Sequence, residues 1–235
     1  MKSLLLFFAL LFLLIPTTYA QKVLEQKAVL TAGQRLNLQL KQATSIRLHV
    51  GSGSEAVVRT TATINGGQLN DALLLQTART DAGVTITSSL DEQLTRTSNW
   101  GGNCPDGASN WGGNWHNGKS TGSVCLKVEV DVTVPVGVAV QVSTISGNIE
   151  ATGLTGPLDL KSISGFVDVS WPPRAGAEVA FKSISGEVYT DQDIAFVNRK
   201  ENPIVGYQLH GTLGGSGPAV RLESISGNVF FRKQK

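Results

Sequence analysis

The chain of 235 residues carries 20 Lys and Arg against 18 Asp and Glu, a formal net charge of +2. A balance this close, with the charges spread along the chain, points away from a nucleic-acid groove or a patch for acidic lipid. With 26 Gly and only 16% charged residues, the composition favours many short strands joined by tight turns.

Residues 1–20 read as a secretory signal peptide: Lys2, an apolar run from Leu4 to Ile15, and a small-residue exit at Thr18-Tyr19-Ala20 before Gln21. That run is short for a bilayer span, and no later stretch approaches eighteen apolar residues, so no transmembrane segment is expected in the mature chain. No Cys follows the run to carry a lipid. The expected address is outside the cytoplasm: periplasm, outer surface or medium. The remaining length suits one large all-β domain or two small ones.

Residues 21–96 form an N-terminal β region. Leu36, Leu38 and Leu40 share one strand face, and Ile46, Leu48 and Val50 share another. Gly33, Gly51-Ser52-Gly53, Asn65-Gly66-Gly67 and Asp81-Ala82-Gly83 supply turns. Asp71–Thr80 is ambiguous by periodicity, and its setting among strands favours a strand.

Residues 97–123 break the rhythm. A small repeat, Ser98-Asn99-Trp100-Gly101-Gly102-Asn103 and Ser109-Asn110-Trp111-Gly112-Gly113-Asn114, lies here with three of the four tryptophans, Trp100, Trp111 and Trp115. So much Gly and Asn predicts an inserted loop, and long loops in compact domains tend to be functional or disordered. The only cysteines, Cys104 and Cys125, are expected to form a disulfide in an oxidising compartment.

From 124 to 235 one phrase recurs: Thr144-Ile145-Ser146-Gly147, Ser162-Ile163-Ser164-Gly165, Ser183-Ile184-Ser185-Gly186 and Ser224-Ile225-Ser226-Gly227. Before each copy the apolar residues sit in one alternation frame, and after it they sit in the other. Leu158, Leu160 and Ser162 are even, for example, whereas Ile163, Val167 and Val169 are odd. A one-residue slip reverses the buried face unless a bulge or bend absorbs it, so the phrase predicts a corner between two strands. In this reading the first Ser of each copy (Thr144 in the first) and the Ile both turn inward, Ile145, Ile163, Ile184 and Ile225 stack in one internal row and Gly147, Gly165, Gly186 and Gly227 in another, the glycines supplying free dihedrals.

The isoleucine intervals of 18, 21 and 41 residues suggest turns of about 20 residues, with a degenerate corner at Pro203-Ile204-Val205-Gly206 in the long gap. The expected fold is therefore all-β, a single-chain β-solenoid that the N-terminal region continues. An antiparallel β-sandwich is the alternative.

The Ser-Ile-Ser-Gly-x-Val repeats, with the Val132–Gly137 element and the Gly214-Gly215-Ser216-Gly217-Pro218 turn, resemble bacterial "putative adhesin" β-strand-repeat domains of unknown function, related to head-domain adhesins of Bacteroidetes-like bacteria. The resemblance covers Leu126–Phe231 best. It implies an exported protein with an extended β surface and brings no catalytic motif.

No residue set announces catalysis, a metal or a cofactor. His49, His116 and His210 lack metal-binding spacing. No phosphate loop or Gly-x-Ser-x-Gly elbow occurs, and four copies of one Ser read better as corner residues bonded to backbone. Glu150, Asp168, Glu187, Asp191 and Asp193 on neighbouring units would suit a polysaccharide-active β-helix enzyme, but an outward strand face is charged by default. Trp100, Trp111 and Trp115 are the best ligand-binding candidates, since an indole beside amide donors suits sugar or peptide recognition. Their competing reading is a hydrophobic cap. The functional expectation is a non-catalytic envelope or surface protein, adhesin-like or scaffolding, contacting a glycan or protein through this segment.

Overall fold

The computed structural model describes residues 21–116, 119–197 and 207–235. The expected signal peptide, residues 1–20, and the expected corner at 203–206 lie outside the described residues.

Among the described residues, two facing sheets of nine strands each enclose the core. Sheet I runs β1 (Lys22–Val29), β4 (Glu55–Ile64), β8 (Lys119–Pro135), β3 (Ser45–Gly51), β10 (Asn148–Thr152), β12 (Val167–Trp171), β18 (Val229–Lys233), β14 (Val188–Thr190), and β7 (Ser109–His116) pairs with β8. Sheet II runs β15 (Ala195–Phe196), β16 (Tyr207–Leu213), β13 (Ala177–Ser183), β17 (Ala219–Ser224), β11 (Leu158–Ser162), β9 (Ala139–Thr144), β2 (Arg35–Gln39), β6 (Gly83–Leu90), β5 (Leu73–Thr80). The ambiguous Asp71–Thr80 stretch thus contributes a short 3-10 turn and then strand β5.

The alternation seen in the sequence decides which face is buried. Val128, Val130, Val132 and Val134 point inward on β8, and Leu158 and Leu160 do so on β11. Each fully buried aliphatic side chain contributes roughly 1.5–3 kcal/mol before chain entropy is charged against it.

The repeated unit is a strand of sheet II, a corner and a strand of sheet I. Five such units stack in parallel register, β2–β3, β9–β10, β11–β12, β17–β18 and β13–β14. The solenoid expectation is overturned here. The last unit in the chain, β17–β18, lies between the second and third copies of the phrase, so Ser162 is in register with Ser224, and Ser224 with Ser183. Antiparallel strands flank the stack, with β8 joined to β4 and β4 to β1, β6 to β5, and β13 to β16. Neither sheet closes on itself, and the architecture is a sandwich of two mixed sheets. A period of about twenty residues records the length of one strand–corner–strand unit and does not encode which units become neighbours.

The corner itself exists, with the expected hydroxyl residue inside it and the isoleucine turned outward. Thr144, Ser162, Ser183 and Ser224 are buried, while Ile163 and Ile184 are each 38% exposed and Ile145 and Ile225 only partly buried. The internal row is therefore one of hydroxyls and not of isoleucines. Ser162 Oγ donates to the Gly147 carbonyl at 2.8 Å and accepts the Gly165 amide at 2.9 Å. Ser224 repeats this between Gly165 and Gly227, and Ser183 between Gly227 and Gly186. Thr144 closes the row on the Ala43 carbonyl, so the β2–β3 unit contributes a corner with no trace of the phrase.

The glycines are needed for a reason other than free dihedrals. None of Gly147, Gly165, Gly186 and Gly227 has a positive φ. A Cβ on Gly165 would instead sit 2.1 Å from the Gly147 carbonyl oxygen, and one on Gly227 2.3 Å from that of Gly165. Close approach of successive layers excludes any side chain there.

Candidate functional site

Strand directions place all the corners at one end of the sandwich. The same end receives residues 65–72, the short helix α1 (Glu92–Arg96) and the β7–β8 hairpin. The stretch expected as a loop is for its second half a strand: β7 pairs antiparallel with β8 from Ser109↔Leu126 to His116↔Lys119. Gly112 and Gly113, at φ 77° and 101°, adopt backbone that other residues avoid, and this lets a Gly- and Asn-rich segment follow its partner strand.

The hairpin base is held by a set of short-range bonds. Asn65, in the left-handed region at φ 49°, accepts the Cys125 amide at 2.8 Å and donates from Nδ2 to Ser98 Oγ at 2.8 Å. Ser98 Oγ in turn donates to the Ser123 carbonyl at 2.9 Å. Cys104 is disulfide-bonded to Cys125, with Cα atoms 5.6 Å apart and a sequence separation of 21. A cross-link of this loop length contributes about 3 kcal/mol in the chain-entropy model. The Cys104→Ser/Cys125→Ser double variant is therefore expected to melt roughly 6–12 °C lower, taking 2–4 °C per kcal/mol for a chain of this size. Cleavage of the 97–108 segment should also accelerate under limited proteolysis.

The three predicted tryptophans have different surroundings. Trp100 bonds through its amide to the Ser123 carbonyl at 3.2 Å and is partly buried, with its indole N–H enclosed and without a partner among the described residues. Trp111 lies on the other edge of β8, opposite Val124, and packs against the core. Trp115 is described through its backbone pairing with Ser120. Trp111 therefore has the cap-like contact of one expectation and the open wall of the other, because it also lines a cleft.

That cleft, of about 370 Å³, lies between the hairpin, helix α1 and the β2–β3 corner. Lys41, Gln42, Ser88, Glu92, Thr95 and Trp111 furnish its chemistry. Asp91 caps the helix by accepting the Gln93 amide at 2.8 Å, which fixes the direction of the turn carrying Glu92 and Thr95. Gln42 and Ser88 are buried polar residues, joined by a 2.6 Å hydrogen bond from Ser88 Oγ to Gln42 Oε1. Sequence reading missed both. Ser88 sits at an inward position of β6, the one signal available, and Gln42 occupies a corner that lacks the phrase.

Of the five candidate carboxylates, Asp168, Glu187 and Asp191 are each bonded to a different partner. Glu150 and Asp168 are in register on neighbouring strands, but Asp168 is committed to a two-pronged ion pair with Arg232, whose Nε donates at 2.9 Å. Glu150 lies beside Arg47, whose pKa is raised by its hydrogen bond to Asp131 and then by the charges of Asp131, Glu129 and Glu150. Asp191 accepts the Lys233 amide at 2.6 Å, and Glu187 bonds the Tyr189 hydroxyl. His49 shares a hydrogen bond with Thr133 Oγ1 at 2.8 Å, and His210 one with Gln208. Among the described residues no group of three or more His, Cys, Asp or Glu is placed to hold a metal. No helix among them is long and apolar enough to cross a membrane.

Fold and site together define an all-β sandwich of two mixed sheets, with a disulfide-pinned tryptophan hairpin at its corner end. No family profile and no curated protein matches the chain. Two solved structures are similar to it at 10% identity. One is a putative cell adhesion protein from Clostridium sporogenes ATCC 15579, at a TM-score of 0.49 over 92% of this chain and 100% of that one. The other is a putative adhesin from Bacteroides fragilis NCTC 9343, at a TM-score of 0.29 over 92% and 98%. Both carry the class of name that the Ser-Ile-Ser-Gly repeats resemble.

Proposed function

We propose that this chain is an exported, non-catalytic contact module of the cell envelope or surface, adhesin-like in role, whose contact surface is the corner end of the sandwich around Trp111. The observation that carries this reading is the Trp111-walled cleft, an aromatic wall beside polar groups on a rigid two-sheet support. Recognition sites typically combine an apolar wall with a few placed polar groups, and loops and hairpins on a rigid scaffold are where they concentrate.

The test is adhesion of the purified chain to whole bacterial cells and to epithelial cell layers, with Trp111→Ala and Trp115→Ala beside the unaltered protein. Trp111→Ala is expected to reduce binding at least tenfold without loss of the cooperative thermal transition. Binding that is unchanged in both variants would remove the hairpin as the contact surface. Release of new reducing ends from envelope polysaccharide would replace a contact module with an enzyme.

A further inference from the structure

The Trp111 cleft contains a polar side chain that is held on one side and open to the cleft on the other. Gln42 is only 6% exposed, and its Oε1 is taken by Ser88 Oγ at 2.6 Å. Its Nε2 has no hydrogen-bond partner among the described residues, although Gln42 lines the cleft. That nitrogen is not among the fully enclosed side-chain atoms that lack a partner, so it is reached from the cleft that Gln42 lines. Ser88 holds the carbonyl side of that amide, which leaves the N–H side available to the cleft.

Around this donor the lining is complementary in kind. Trp111 supplies an apolar wall, Glu92 a carboxylate acceptor, and Lys41 a cationic donor. Neither Glu92 nor Lys41 forms an ion pair within the described residues. One positive and one negative group leave the cleft balanced, which matches a neutral ligand better than a polyanion. A volume of about 370 Å³ is at the small end for ligand clefts, which run about 300–1,000 Å³.

We infer that the cleft binds one pyranose unit of a neutral glycan. The sugar's C–H face lies against Trp111, one hydroxyl accepts from Gln42 Nε2, and a neighbouring hydroxyl donates to Glu92 while accepting from Lys41. An indole suits this use because a sugar ring is apolar on its face and polar at its rim. The inference rests on the contact-module reading and narrows it to one ligand class.

The experiment is a glycan array holding neutral, sialylated and uronate-containing oligosaccharides, followed by titration calorimetry with the best neutral oligosaccharide and with methyl glycosides of glucose, galactose and mannose. Neutral glycans are expected to bind, with affinity falling at least tenfold in Glu92→Ala and Gln42→Leu. Glu92 is exposed, so its variant keeps the test decisive if Gln42→Leu proves unstable by thermal melt. Absence of neutral-glycan binding, a preference for the acidic members, or affinity unchanged in Glu92→Ala would each overturn the inference. If cell adhesion nonetheless depends on Trp111, the pyranose assignment alone falls and the contact reading stands.

Discussion

Gly165→Val is expected to destabilise the chain by about 3 kcal/mol or more, at the upper end of overpacking costs, whereas Ser164→Ala should remain within about 0.5 kcal/mol. The asymmetry comes from the corner stack. A Cβ at Gly165 would meet the Gly147 oxygen, the Gly147 carbonyl carbon and the Asn148 nitrogen at 2.1, 2.5 and 2.9 Å, and all three are backbone atoms. No rotamer change relieves that contact, so the second layer must move away from the first. Ser164 is exposed, and its amide bond to the Ile145 carbonyl survives truncation of the side chain. Ser162→Ala should fall between them, at roughly 1–3 kcal/mol, because it strands a buried amide and a buried carbonyl. Urea unfolding of the three variants measures the ranking. Equal stability for Gly165→Val and Ser164→Ala would show that the layers are not in close contact.

Removal of residues 218–235 should abolish cooperative folding altogether. This segment is the C-terminal end of the chain, yet β17 lies between β11 and β13, and β18 between β12 and β14. Its loss opens both sheets in their interior and leaves four strand edges, on β11, β13, β12 and β14, with unpaired backbone groups. It also removes Phe231, whose ring centroid lies 6.0 Å from Trp171 and 5.2 Å from Phe181 among fully buried neighbours. Loss of such an aromatic side chain alone costs roughly 3–5 kcal/mol. Circular dichroism and a thermal melt of the truncated chain read the outcome directly. A stable, cooperatively melting product would mean that the last unit is peripheral, as it would be if units stacked in chain order.

Local structure was legible in the sequence where burial imposed it. The alternation of Leu126 to Val134 and the frame slip at each phrase gave strands and corners because one face of each strand must be apolar. Parity let Ser162 and Ile163 both turn inward, and only the isoleucine was misread. A hydroxyl that satisfies two backbone groups prevails over a bulky side chain where layers nearly touch. The order of the stack was invisible for a different reason. The 41-residue interval contains β15 and β16, and β16 pairs antiparallel with the far side of β13. Unit β17–β18 then occupies the remaining side, a choice made by long-range pairing.

The candidate site was legible only in part. Trp111 stood out by composition, whereas Gly and Asn disguised the strand that carries it. Gln42 and Ser88 are ordinary residues made notable by burial and by each other, and residue type alone does not reveal that. Asn65 was visible as a turn residue, but its two bonds to the hairpin base join residues 33 and 60 positions away.

Zero-length carbodiimide cross-linking of the native chain, read by peptide mass spectrometry, tests the interleaved stack most directly. Glu223 Oε1 lies 3.3 Å from Lys161 Nζ and 3.4 Å from Lys182 Nζ, because β17 separates β11 from β13. The expected result is Glu223 joined to Lys161 in some molecules and to Lys182 in others. Stacking in chain order would place β11 beside β13, and Glu223 would then join Lys182 without ever joining Lys161.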